Sequence, residues 1–314
     1  MNHIFIIGSF VAACTVRVSR FPAPGESLAA ESFLLEPGGK GFNMMAGVQR
    51  LGIPVKGLLA VGDDLVGALA PDLIARAGLP RDLIHPLSGV SGGGVGFTDS
   101  AGESSLAVCA GANALLAPAH IDRLHDQIST AALVAAQFEV PDEPIARAFE
   151  IARRAGIPTL LNPSPYRPIA PEILATTSIL IMNETEAIAF AAGQGIDIRS
   201  SDIDGLSPIA ELLRAYDIDY TILTLGRRGA VAFPKQEAAF FQPAFPARTV
   251  DMIGAGDAFN AGLMAAWAEG HDIRRAVRFA AACGAVATER PGVLGALPGR
   301  EQVEILAGTD QNIG

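Results

Sequence analysis

The chain has 314 residues, of which 50% are hydrophobic and 18% are charged, whereas an ordinary soluble protein has about 25% charged residues. This composition excludes disorder over most of the chain, and the length suits one large domain with a smaller appendage. The net charge of −10 argues against nucleic acid as the main partner, because binding a phosphate backbone requires a basic face.

The N-terminal segment 4–16 is mostly apolar and ends near Cys14, which loosely resembles a lipoprotein cleavage site. No Lys or Arg precedes this segment and Gly8-Ser9 interrupts it, so a buried strand is the better interpretation. No apolar run reaches the roughly 18 residues that a membrane helix needs. The three cysteines are widely spaced and predict free thiols in a cytoplasmic protein.

Short apolar runs alternate with helical periodicity along the chain. The predicted strands are 4–8, 55–61, 132–137, 158–161, 178–182 and 220–225. The predicted helices are 41–51, 64–77, 143–155, 184–192, 206–216, 257–269 and 273–288. This alternation predicts an α/β fold with a mostly parallel sheet and helices on both faces.

Two segments, 11–36 and 85–110, interrupt the alternation, because they lack helical periodicity and are rich in Gly, Ser, Val and Phe. Turn signals at 22–25 and 99–102 indicate β-hairpins. We expect the two segments to pair into a small sheet that forms a lid over the carboxyl edge of the large sheet. The expected core then comprises 1–10, 37–84 and 111–314, and the expected lid comprises 11–36 and 85–110.

The most informative motif is Gly254-Ala255-Gly256-Asp257, a small-residue loop that leads directly into a helix. Unpaired N–H groups and partial positive charge at a helix N-terminus suit an anion. Asp257 beside such a site could accept a proton from an attacking hydroxyl, so the motif is typical of phosphoryl transfer. The alternative is that Asp257 only caps the helix.

A second glycine-rich run, Gly38-Gly39-Lys40-Gly41-Phe42-Asn43, also opens a helix. It lacks the spacing and the Ser or Thr of a phosphate-binding Walker A loop. Its glycines would allow a ligand to contact the backbone, with Lys40 and Asn43 supplying hydrogen bonds. An ordinary loop with a solvated lysine is the alternative.

Two further motifs follow predicted strands. Asn183-Glu184-Thr185-Glu186 could hold Mg²⁺ partly through water, but the same spacing also suits a capping box. The run 224–229 contains a Gly-bounded turn that could carry a nucleotide or form a plain hairpin.

These motifs, in this order, resemble the ribokinase/PfkB carbohydrate kinase family along nearly the whole chain. Further matching segments are Gly8-Ser9, 22–26, 61–64, Gly111-Ala112-Asn113, Glu139 and 162–165. The resemblance implies a ribokinase-like three-layer α/β sandwich with a β-sheet lid. It also implies ATP-dependent phosphorylation of a hydroxyl on a small sugar or sugar-like alcohol, by a homodimer joined through the lid.

The resemblance also implies roles for individual residues. Asp257 would be the general base, beside an anion hole formed by the N–H groups of Gly254, Ala255 and Gly256. The acceptor would contact Gly39, Lys40, Gly41, Asn43, Glu139 and Asp257. The nucleotide would contact Asn183, Thr224, Leu225, Gly226, Gly229, Gly256 and Ala281.

Two cation sites are implied in the same way. Asn183 and Glu186 would hold Mg²⁺ through water. A monovalent cation such as K⁺ would be bound by Asp251, Ile253, Ala287, Arg290 and Gly292. Ala296 stands where ribokinases usually have Ser, which removes one ligand.

The chain departs from the family at the strand that follows Gly8-Ser9. Family members usually place there an Asp that binds sugar hydroxyls, and ribokinases add an Asn two residues earlier. This chain has Ala13 and Val11 at those positions. A site built to bind hydroxyls loses affinity when its partners are unmatched, so we expect a substrate with an apolar or deoxy face rather than ribose.

Two alternatives stay open. One is a nucleoside kinase of the same family, whose base would fill the apolar lid pocket. The other is a relative that binds a ligand without turnover, although Asp257, the anion hole, Asn183 and Glu186 are all present.

Overall fold

The centre of the fold is a large twisted sheet whose strands run mostly in parallel. The computed structural model describes residues 3–101, 103–198 and 203–308. The expected core segments 1–10 and 111–314, and the turn at 99–102, therefore each include positions outside the described residues. The described strands are β1 (Ile4–Gly8), β2 (Val11–Arg17), β3 (Ser32–Gly38), β4 (Val55–Val61), β5 (Ile84–Pro86), β6 (Gly92–Thr98), β7 (Ser104–Cys109), β8 (Leu133–Gln137), β9 (Thr159–Asn162), β10 (Ile179–Asn183), β11 (Tyr220–Thr224), β12 (Gly229–Pro234) and β13 (Phe240–Pro243).

Helices cover both faces of this sheet. They are α1 (Lys40–Arg50), α2 (Leu65–Arg76), α3 (Pro118–Asp122), α4 (His125–Ser129), α5 (Asp142–Arg154), α6 (Pro171–Leu174), α7 (Glu184–Gly193), α8 (Ile203–Arg214), α9 (Ala255–Ala268), α10 (Ile273–Ala287) and α11 (Arg300–Gly308). In the part of the chain that the structure describes, no helix combines the length and the apolar character needed to cross a membrane.

The order of the large sheet is β13-β12-β11-β10-β9-β8-β1-β4-β5, and β12 is the strand that runs antiparallel to its neighbours β11 and β13. Alternate side chains of a strand point to opposite faces, so β1 contributes to two separate cores. Ile4 and Ile6 pack in one hydrophobic cluster, whereas Phe5 and Ile7 pack in the other. Burial on both faces explains the nearly continuous apolar strands that the sequence shows.

The small sheet has the order β3-β2-β6-β7, so the two interrupting segments do pair with each other, as expected. Its two hairpins join through parallel pairing of β2 with β6. The boundaries differ from those expected: His85 and Pro86 lie in the large sheet, because β5 pairs in parallel with β4. Pro37 and Gly38, expected in the core, form the end of β3 in the small sheet.

The sequence analysis missed several elements. It did not predict β5, β12 and β13, nor the helices α3, α4, α6 and α11. Three of these four helices have only four or five residues, too few to show helical periodicity. The strand β5 has three residues and lies at the edge of the sheet, so its sequence carries almost no pattern.

Close packing of α1 against α9 brings together two motifs that lie more than 200 residues apart in the sequence. The helices approach at Gly47, where a β-carbon would lie 2.6 Å from the Ala261 β-carbon. A side chain at position 47 would therefore push the two helices apart. It would also separate the side chains of Asn43 and Asp257, each of which lies one turn away from this contact.

We expect Gly47→Ala to lower the free energy of unfolding by about 1–3 kcal/mol, because the added methyl overpacks this contact. The matched control is Gly193→Ala at the end of α7, where the nearest atom to the new β-carbon would be Tyr166 Oη at 3.9 Å. The control should be neutral or stabilising by up to about 1 kcal/mol, since alanine favours helix. Urea denaturation of both variants checks this, and equal stability of the two would contradict the packing argument.

Candidate functional site

A buried carboxylate of the site belongs to Asp257, in the first turn of α9. The residue is only 6% exposed. Gly254 precedes the helix with φ of 79°, and a β-carbon there would lie 2.7 Å from Val293 Cγ1, so only glycine fits this turn. The turn places the carboxylate beside the unpaired N–H groups of the helix N-terminus.

Asp257 is held in place from the opposite helix. Asn43 Nδ2 donates a 2.8 Å hydrogen bond to Asp257 Oδ2. Burial raises the pKa of the Asp257 carboxyl, and this effect prevails over the opposing influence of Lys40 and of the Asn43 hydrogen bond. A carboxylate with a raised pKa is a better proton acceptor than an ordinary aspartate, as a general base requires.

The glycine-rich loop before α1 lies directly against the end of β1. Gly39 has φ of 104°, and a β-carbon there would lie 2.6 Å from the Ser9 carbonyl oxygen. A β-carbon on Gly41 would lie 2.2 Å from Gly8 Cα. These contacts require glycine at both positions, so the loop presents bare backbone next to Lys40 and Asn43.

Glu139 follows β8 and joins this loop through a shared hydrogen-bond network. Its Oε2 accepts from Ser9 Oγ at 2.5 Å and from the Lys40 N–H at 2.7 Å. Ser9 Oγ in turn accepts from the Gly41 N–H at 3.2 Å. Glu139 Oε1 has no hydrogen bond to any residue that the structure describes, so it remains available to a ligand.

Ser9 and Gln137 position Glu139, and the sequence analysis assigned neither of them a role. Gln137 Oε1 accepts from the Glu139 N–H at 3.1 Å, and Gln137 Nε2 donates to the Ile7 carbonyl at 3.2 Å. Their position along the chain could have indicated a role, since both residues lie at the carboxyl ends of adjacent parallel strands.

A cavity of about 690 Å³ lies at the N-terminal end of α9, where Ala255, Gly256 and Phe259 line it. Its volume falls within the ordinary range for a site that takes a small ligand or cofactor. Six of the seven residues expected to bind nucleotide line it, namely Asn183, Thr224, Gly226, Gly229, Gly256 and Ala281. Leu225 is buried and does not line the cavity, and its N–H donates to the Gly229 carbonyl within the turn.

The sequence analysis missed the wall of this cavity formed by 244–247, Thr249, Met252 and Phe259. The segment from 244 to 249 has no regular secondary structure and therefore no periodicity to interpret. Phe259 lies one turn into α9, beyond the motif that drew attention to the helix. These residues make the cavity largely apolar, which suits a planar base more than a hydrated ion.

The three residues expected to form an anion hole lie together at the start of α9, with Gly254 as its N-cap. The Ala255 N–H donates a long 3.3 Å hydrogen bond to the Met252 carbonyl. The N–H groups of Gly254 and Gly256 have no partner in the described part of the chain. An anion at this helix end would therefore find two free donors at once, and the third after the Met252 bond opens.

Asn183 and Glu186 form the capping box that was the alternative interpretation. Asn183 Oδ1 accepts from the Glu186 N–H and Glu186 Oε2 accepts from the Asn183 N–H, both at 2.9 Å. The box leaves Glu186 Oε1 without a hydrogen bond to the described residues. A capping role and a role toward water-bound Mg²⁺ are therefore compatible, because each uses a different oxygen.

The five residues expected around a monovalent cation come from two parts of the chain that touch: the loop before α9, and the end of α10 with the loop that follows it. The N–H groups of Val250 and Asp251 both donate to the Thr288 carbonyl, at 2.7 and 3.1 Å. The Asp251 carboxylate accepts from the N–H groups of Ile253 and Gly292, at 3.0 and 3.1 Å. These bonds bring 251–253 together with 287–292, while Ala296 is buried and adds no side-chain oxygen.

No group of three or more His, Cys, Asp or Glu able to hold a metal occurs among the described residues. Backbone carbonyls, phosphate and water would therefore be the main ligands of any cation bound at these sites.

Val11 and Ala13 lie on β2, next to the glycine-rich loop. In the register of the small sheet Val11 pairs with Gly38, and a β-carbon on Gly38 would lie 3.4 Å from the Ala13 β-carbon. The strand thus presents an apolar surface at the positions where the family usually has polar groups.

Comparison with known proteins shows the family to which the chain belongs. The model of the pfkB family carbohydrate kinases matches residues 1–300. The chain is 32% identical to the ribokinase of Bacillus subtilis over 306 residues, covering 98% of this chain and 99% of the relative. It is 28% identical to the deoxyribokinase of Salmonella typhimurium over 301 residues, covering 95% of this chain and 96% of the relative.

The structure is also similar to that of Arabidopsis thaliana ribokinase complexed with ribose and ATP. The two superpose with a TM-score of 0.90 at 27% identity, covering 98% of this chain and 99% of the other. The chain therefore belongs to the pfkB family of carbohydrate kinases, and the expected ribokinase-like fold is confirmed.

Proposed function

We propose that this pfkB-family carbohydrate kinase transfers the γ-phosphoryl group of ATP to a hydroxyl of a small sugar or sugar-like alcohol other than ribose. One observation carries the proposal: the buried Asp257 carboxylate is hydrogen-bonded to Asn43 of the glycine-rich run, while its chain neighbour Gly256 lines a cavity of about 690 Å³. A base between an acceptor site and a nucleotide site is the arrangement that phosphoryl transfer needs.

On the acceptor side, Asp257 accepts the proton of the attacking hydroxyl, and Asn43 fixes the orientation of its carboxylate. Asn43 Oδ1 is buried and lacks a partner among the described residues, so it offers an acceptor to a second hydroxyl. Glu139 Oε1 offers another. Lys40 lies close enough to Asp257 to oppose the rise in its pKa, and it supplies positive charge at the site of transfer.

On the nucleotide side, the N-terminus of α9 stabilises the negative charge that develops on the transferred group. The free N–H groups of Gly254 and Gly256 serve first, and that of Ala255 joins them when its bond to Met252 opens. ATP would occupy the cavity lined by Asn183, Thr224, Gly226, Gly229 and Ala281, with Leu225 supporting the turn from behind.

We include Mg²⁺ in the proposal, held through water near Asn183 and Glu186, where it would neutralise charge on the phosphates. We also include a monovalent cation such as K⁺ at the joined loops 251–253 and 287–292. The domain division into a core and a lid belongs to the proposal as well, with the boundaries moved to the ends of the small sheet.

A homodimer through the lid is supported by large apolar side chains that are exposed on the small sheet. These are Phe33, Leu34, Leu35, Val95, Leu106 and Val108. Apolar side chains clustered on an exposed sheet are typical of an interface. The three free cysteines suit a reducing, cytoplasmic setting.

The apolar pair Val11 and Ala13 supports an acceptor with fewer hydroxyls than ribose on the side that faces β2. The chain's similarity to a deoxyribokinase as well as to ribokinases is consistent with this choice.

We expect Asp257→Asn to lower kcat by about 10²- to 10⁴-fold, because the amide cannot accept the proton. ATP binding should survive, since Asp257 does not line the nucleotide cavity. Coupled ADP release measures kcat, and calorimetry measures the ATP dissociation constant. Asp126→Asn, at an exposed position in α4, is the control; near-normal turnover in Asp257→Asn would contradict the role of the base.

Substrate choice is tested on a panel of D-ribose, 2-deoxy-D-ribose, D-fructose and uridine. We expect 2-deoxy-D-ribose to give a higher kcat/KM than D-ribose, and the double variant Val11→Asn/Ala13→Asp to lower the KM for D-ribose about tenfold or more. Preference for uridine would indicate a nucleoside kinase. Binding of ATP without phosphorylation of any panel member would indicate a relative that binds without turnover.

A further inference from the structure

One face of the small sheet forms a wall of the site. Glu36 is an ionisable residue on this wall, close to the core. In the register of β2 and β3, Val11 pairs with Gly38 and Ala13 pairs with Glu36. Directly paired residues of adjacent strands project from the same face of a sheet. Glu36 therefore projects beside Ala13, on the same face as Val11 and Gly38.

This face looks toward the phosphoryl-transfer end of the core. Glu36 Oε2 lies 3.7 Å from the position that a β-carbon on Gly292 would take. Gly292 is bonded to Asp251 in the joined loops, and its neighbour Val293 packs against Gly254 at the start of α9. The Glu36 carboxylate thus lies at the cleft between the lid and the core, a few residues from the anion hole.

The carboxylate has no partner of its own. Glu36 is half-buried, and it forms no hydrogen bond or ion pair with any residue that the structure describes. Its neighbours on this wall are Val11, Ala13, Gly38, Gly92 and Gly94, none of which has a polar side chain. A partly desolvated carboxylate without donors is unfavourable, and a ligand that supplies a donor relieves this cost.

We propose that Glu36 binds the phosphate acceptor directly and selects acceptors that carry a hydroxyl or ammonium donor beyond the part that contacts Val11 and Ala13. This inference rests on the proposed kinase function and adds a determinant of the substrate to it. The acceptor is then apolar where it meets β2 and polar where it meets β3.

The negative charge of Glu36 would make the site selective for the charge of the acceptor. A carboxylate on this wall repels an acceptor that carries its own carboxylate or phosphate, since like charges at short range destabilise a complex. Neutral and cationic acceptors are therefore favoured over sugar acids and sugar phosphates.

The test compares Glu36→Gln with Glu31→Gln, which changes an exposed carboxylate near the start of the same strand. The probes are the panel sugar with the highest kcat/KM and D-gluconate as an anionic analogue. We expect Glu36→Gln to raise the KM for the neutral sugar about 10- to 100-fold, the loss typical of a charge-assisted hydrogen bond. Its kcat and its KM for ATP should stay within about twofold, and D-gluconate should become a better substrate.

Equal KM values in Glu36→Gln and Glu31→Gln would overturn the role of Glu36 while leaving the kinase function intact. If the wild type phosphorylates no sugar, the proposed kinase function is contradicted before any variant is compared. Calorimetric binding of 2-deoxy-D-ribose to the wild type and to Glu36→Gln then decides the role of Glu36: weaker binding in the variant supports it, and equal or absent binding overturns it. Unchanged ATP binding confirms that the variant is folded.

Discussion

The burial of one carboxylate at the positive end of a helix is the constraint on which the rest of the site depends. Asp257 lies in the first turn of α9, almost without exposure to solvent, and a buried carboxylate is tolerated only where nearby groups compensate its charge. Asn43, Lys40 and the helix N-terminus supply this compensation. Each of them is also a group that a phosphoryl-transfer site requires. The same groups therefore stabilise the buried carboxylate and serve the chemistry.

Meeting that demand requires the backbones of distant segments to approach very closely. Gly39 and Gly41 lie against Ser9 and Gly8, and Gly47 lies against Ala261, at distances that a β-carbon would not allow. These contacts lock the loop before α1 onto the end of β1 and lock α1 onto α9. The acceptor loop and the base are therefore fixed relative to each other by packing, and this preorganises the site before a ligand binds.

The sequence was sufficient to predict the alternating fold, the two hairpins and the motifs around Asp257, because all of these depend on local periodicity or on short spacing. It was not sufficient to assign a role to Ser9 or Gln137, whose importance arises from neighbouring strand ends in the folded sheet. Phe245 and Met252 line the cavity from segments without periodicity. Glu36 could not be recognised either, since its position beside Ala13 depends on strand register and on a contact with Gly292.

The pH dependence of kcat/KM for the acceptor sugar tests the central claim most directly. Burial raises the pKa of Asp257 above the ordinary value of 3.8, so the base takes up a proton at a higher pH than a solvated aspartate does. The account predicts that activity falls as the pH is lowered through this raised pKa, and that the residual activity of Asp257→Asn lacks this acidic limb. An acidic limb at or below pH 3.8, or the same limb in Asp257→Asn, would contradict the account.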